Sequence, residues 1–141
     1  MGARTDAPHR VLLDLAESDI RYSMGQLVVA RDFYRRAPET LEKIMRAYIE
    51  GVAVLRDPTQ KDRVVKTIAR YTRLKEVKAI EEIYSDAAKY VDRVPRVDAD
   101  AVSTTLEFMG KKGVPVETFA DNSIIDRLVR EGFVDQVYKK R

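Results

Sequence analysis

The chain has 141 residues, 45% of them hydrophobic and 35% charged, and its 26 lysines and arginines nearly balance 23 aspartates and glutamates, for a formal charge of +3. These are the proportions of one soluble, helix-rich domain long enough to bury a core, and the interspersed charge argues against a nucleic-acid-binding role. The absence of cysteine excludes disulfides, thiolate catalysis and thiolate metal sites, and no window approaches the roughly 20 apolar residues a membrane-spanning helix needs.

Residues 1–10, "MGARTDAPHR", read as a polar, disordered leader. They lack the apolar stretch of a secretory signal, so the chain as written is expected to stay in the cytoplasm. The only histidine, His9, has no carboxylate or histidine held near it and reads as a solvated residue rather than a base or ligand. Residues 11–141 read as a single domain. Two short apolar runs, Val11 to Leu15 ("VLLDL") and Gln26 to Ala30 ("QLVVA"), are expected to be strands. Between them lies the polar, glycine-containing link "DIRYSMGQ". Links between scaffold elements are where binding groups gather, which makes Tyr22 and Ser23 the candidate ligand contacts; the alternative is an ordinary connection.

From Pro38 onward the pattern is helical. Proline suits a first helical turn and Glu39 and Glu42 suit its positive end, while Leu41, Ile44, Met45, Tyr48, Ile49, Val52 and Leu55 form one apolar stripe to residue 55. On the other side Glu39 can pair with Lys43 and Glu42 with Arg46. Gly51 interrupts this helix at a cost of about 1 kcal/mol, which suggests close packing there. Asp57-Pro58 ends it, Thr59 is expected to cap a second helix, and a third spans Glu76 to Val91. Asp98 is the expected N-cap of a fourth, closed by Gly110 and Gly113. Asp121 is expected to cap "SIIDRLVRE", Gly132 to take a left-handed conformation after it, and "FVDQVYKK" to form a last short helix. The expected fold is therefore α+β and mostly α: two short strands, then five or six packed helices between 38 and 140.

Chemistry is sparse. Glu81 and Glu82 point about 100° apart on a helix and do not converge as an acid/base pair. There is no phosphate loop, nucleophile elbow or HExxH motif, so neither an enzyme nor a metal or cofactor site is expected. The tyrosines at 48, 84 and 138 fall on apolar stripes, where core packing is the usual role.

The stretch "VLLDLAESDIRYSMGQLVVARDFYRRAPETLEKIMRAYIEGVAVLRD", followed by "IARYTRLKEVKAIEEIYSDAAKYV" and "FADNSIIDRLVREGFVDQVYKK", resembles the later part of the solute-binding proteins of ABC importers, in the nitrate, sulfonate, taurine and thiamine-precursor group. The resemblance covers about residues 11–140 and implies the closing portion of a type II periplasmic-binding-protein fold, with the stripe of residues 38–55 packed on a sheet. It further implies an extracytoplasmic protein that binds a small solute, hands it to a membrane permease and catalyses nothing. A thiamine-precursor enzyme would need histidine or cysteine groups, and this chain offers only His9. Most of the two lobes has no counterpart in these residues, so the expectation is a truncated or split product whose orphaned apolar faces drive self-association. The competing expectation is a free-standing helical interaction module that has lost solute binding.

Overall fold

The structure, a computed structural model, describes residues 12, 18–22 and 25–139. Seven α-helices follow one another there: α1 (Arg31–Arg36), α2 (Pro38–Arg56), α3 (Lys61–Thr72), α4 (Val77–Tyr90), α5 (Ala99–Phe108), α6 (Ser123–Arg130) and α7 (Phe133–Lys139). Short 3-10 turns at Pro58–Gln60 and Val116–Thr118 complete the regular structure. No strand occurs among the described residues, so the fold is a small helical domain rather than α+β.

The second expected strand, Gln26 to Ala30, is irregular. Its apolar residues satisfy strand propensity, but a strand exists only where a neighbour accepts and donates ladder hydrogen bonds, and no described segment lies alongside to do so. The first expected strand, 11–15, lies outside the described residues except for Leu12, which is in no regular element. The expected leader, with His9, also lies outside them.

The helices begin and end where the chemistry of their termini directs. Pro38 opens α2. The Asp57 carboxylate, not Thr59, organises the next start: it accepts the Thr59 amide at 2.9 Å and hydroxyl at 2.7 Å across the 3-10 turn that leads into α3. Asp98 caps α5 by accepting the amides of Asp100 at 2.9 Å and Ala101 at 3.4 Å. Gly132, at φ 73°, lies in the left-handed region between α6 and α7.

Among the described residues, the apolar side of α2 meets helices and not a sheet. Ile49 is fully buried with Ile125 and Leu128 of α6 and Val134 of α7, and Met45, Val94, Phe133 and Val137 pack around them. The correction has a simple cause: α6 and α7 bury apolar residues of their own, Ile125, Leu128 and Val134, against Ile49 of α2. Helices α3 and α4 form an antiparallel hairpin that also leans on α2. Around the core, Arg46 bridges Glu42 at 2.8 Å and Glu131 at 3.3 Å, while Arg127 reaches Glu42 at 2.7 Å. These guanidinium hydrogen bonds, Arg46 foremost, hold the Glu42 carboxyl below the usual carboxylate range. The Arg46 guanidinium also lies 4.4 Å from the centre of the Phe133 ring, tying α2 to α7. The other anticipated pair, Glu39 with Lys43, makes no ion pair.

Gly51 is not a crossing point. A β-carbon placed there meets nothing within 4 Å, and the residue is exposed. Gly51→Ala is therefore expected to stabilise the chain by about 0.5–1 kcal/mol, since it removes only the helix penalty of glycine. Leu128→Ala, by contrast, should cost about 3 kcal/mol in urea unfolding, because it opens a cavity in the one cluster that joins α2, α6 and α7.

Candidate functional site

A cleft of about 400 Å³ opens where residues 25–29, the N-terminal half of α2, the link from α4 to α5 and the start of α6 converge. Its wall is apolar: Leu27, Val29, Leu41, Met45, Ile124 and Ile125. Its rim carries Tyr34, Tyr48, Tyr90, Asp92, Arg96, Asp121 and Asn122.

Three interactions give this rim its shape. Helix α1 buries none of its residues, and it is held from outside: the Tyr34 hydroxyl donates to Asp121, and Arg31 donates to the Thr118 carbonyl at 3.4 Å. Asn122 then fastens the link before α5, donating from Nδ2 to the Val97 carbonyl at 2.9 Å and accepting the Val97 amide at 2.8 Å. Arg96 pairs with Asp126 of α6. The Tyr34 hydrogen bond, with the Ser123 amide at 2.7 Å, holds the Asp121 carboxyl below its ordinary range, and the same hydrogen bond raises the phenol of Tyr34.

The cleft thus offers an apolar floor and polar groups most of which already satisfy one another. Such a surface can receive an apolar or aromatic group and orient it by the tyrosine and arginine at its edge. Among the described residues, no group of three or more histidines, aspartates or glutamates is placed to hold a metal ion, and no helix is long and apolar enough to cross a membrane.

Tyr22 is partly exposed and is not among the residues lining the cleft; its neighbour Arg21 pairs with Asp98 at 2.7 Å. That pair, Arg21's hydrogen bond first, lowers the Asp98 carboxyl. Ser23 lies outside the described residues. The structure instead gathers Tyr34, Asp121 and Asn122, which sequence reasoning did not connect as a site. Asp121 was expected as the cap of α6; the N-cap is Asn122 instead, while Asp121 accepts the Ser123 amide and its other partner, Tyr34, is 87 residues away in sequence.

Comparison of the chain with known protein families, with curated proteins and with solved structures gives no match.

The Tyr34–Asp121 bond sets a pH dependence with a fixed sign. A carboxyl depressed in the folded state contributes stability above its unfolded pKa and loses it as pH falls through the lower folded value. A phenol raised in the folded state contributes below its ordinary 10.0 and loses it as pH rises through the higher folded value. In Tyr34→Phe, carboxyl titration by NMR should find Asp121 shifted upward toward its ordinary 3.8, with the acid limb of unfolding moving the same way.

Proposed function

We propose that this chain supplies the closing helices of the solute-binding component of an ABC importer, for a small solute such as nitrate, a sulfonate, taurine or a thiamine-precursor-like compound. The reading rests on the ordered phrases from "VLLDLAESD" to "GFVDQVYKK". It is carried structurally by one observation, the uncovered second face of α2. Ile44 and Tyr48 remain 37% and 41% exposed, and Ala47 and Gly51 are exposed beside them, all within about 100° of one another around the helix. A glycine that weakens its helix and is repaid by no neighbour suits a helix whose partner backbone belongs to another part of the protein.

In all, the described residues bury ten apolar side chains, a thin core for so long a helical set. The earlier segments of a solute-binding protein would complete it, share in holding the solute, and present it to a permease outside the cytoplasmic membrane. In isolation, the same face favours self-association.

The test is to mix the chain with the separately expressed remainder of such a binding protein and follow the mixture by gel filtration and light scattering. The expected result is a one-to-one complex that replaces self-association and is abolished by Gly51→Leu, with the helical circular dichroism of the isolated variant unchanged. A mixture that elutes as two independent species would contradict the reading and favour an interaction module with an unrelated protein partner.

A further inference from the structure

The turn that joins α3 to α4 projects away from both the core and the cleft. Residues 70–78, "RYTRLKEVK", are all exposed. Tyr71 is 79% exposed, Val77 66% and Leu74 40%, so three large apolar side chains face solvent within one turn. Four cations, Arg70, Arg73, Lys75 and Lys78, surround them, with Glu76 the single acid. Among the described residues none of the four makes an ion pair, although Arg70 lies 5.9 Å from the centre of the Tyr71 ring.

Arg73 makes this arrangement specific. It takes a left-handed conformation, φ 59° and ψ 16°, at the C-terminus of α3. Glycine or asparagine holds that position with less strain, and a long side chain is tolerated there only at a backbone cost. Among the described residues, the Arg73 side chain makes no hydrogen bond or ion pair that would offset it.

We propose that the α3–α4 tip docks on an anionic membrane surface, with Tyr71, Leu74 and Val77 entering the headgroup boundary and the four cations meeting lipid phosphates. Weak apolar insertion joined to a basic cluster is the combination that stable peripheral binding requires. A lipid surface suits the tip better than an acidic protein does. A specific protein interface needs a partner surface of fixed, complementary shape, whereas lipids adapt to the tip, and the four cations against one acid match a surface of phosphates. Another set of exposed apolar residues, Phe108, Met109 and Phe119, lacks this character because Lys111 and Lys112 are offset by Glu107 and Glu117. The inference does not depend on the importer reading.

Co-sedimentation with vesicles tests it, using phosphatidylcholine alone and phosphatidylcholine with roughly a third phosphatidylglycerol, at about 0.1 M salt. The expected preference for the anionic vesicles is about tenfold or more. Charge reversal in Arg73→Glu/Lys75→Glu/Lys78→Glu should remove it, and Lys111→Glu/Lys112→Glu should not. Leu74→Ser/Val77→Ser should weaken binding with every charge kept. Arg73→Gly should raise thermal stability while lowering vesicle affinity, a pair of opposite changes that a purely structural arginine would not give. Equal binding to both vesicles would overturn the proposal. So would displacement by polyglutamate together with full binding by the Leu74→Ser/Val77→Ser variant, because that pattern means attraction to any acidic macromolecule.

Discussion

Burial of Ile49 against Ile125, Leu128 and Val134 joins the first long helix to the last two and closes a long loop of chain in doing so. The entropy of that closure grows slowly with loop length, so a compact apolar cluster can sustain it. Other features take their places from this contact. Arg46 and Arg127 can share Glu42 because α2 and α6 are side by side, and Phe133 reaches Arg46 because Gly132 turns the chain immediately before α7. The α3–α4 hairpin then leans on α2 from another side and leaves its tip free.

The same contact determines what α2 leaves uncovered. A helix with apolar residues around more than half its circumference is not covered completely by α6, α7 and the α3–α4 hairpin, and the remainder here is the face of Ile44, Tyr48 and Gly51. The cleft lies at the boundary between the two faces: Met45 belongs to the cluster's margin and Tyr48 to the open side, and both line it. Solute capture, in the importer reading, would therefore depend on whatever covers α2. The tight Tyr34–Asp121 and Asn122–Val97 connections instead keep the near wall of the cleft in place.

Much of the helical order was legible in the sequence because its signals are local. Pro38, Asp98 and Gly132 act within one turn of chain, and the spacing of Leu41, Ile49 and Val52 marks a buried side whatever covers it. The identity of the partner was not legible, since a stripe facing a sheet and a stripe facing two helices look alike in sequence. Gln26 to Ala30 misled for the related reason that strand propensity is a side-chain preference while a strand is a pairing. Helix α1 was missed because "RDFYRR" has no apolar periodicity; it is held by Tyr34 and Arg31, whose partners are far away in sequence. Gly51 was read as a close contact and stands in open space. Of the candidate site, only the place of Asp121 just before α6 could be read in advance; its carboxylate takes the Ser123 amide, but the N-cap itself is Asn122.

The central claim is that α2 has one side buried against its neighbouring helices and an opposite side left open. The chain has no cysteine, so single substitutions report cleanly on each face. Ala53 is buried and Gly51 is exposed, two residues apart and both small. Thiol labelling of dilute Gly51→Cys and Ala53→Cys tests the claim most directly. Rapid modification at 51 with modification at 53 slowed by about a hundredfold or more, as local opening of a core position requires, is the result the account predicts. Comparable rates at the two positions, or protection at 51, would contradict it.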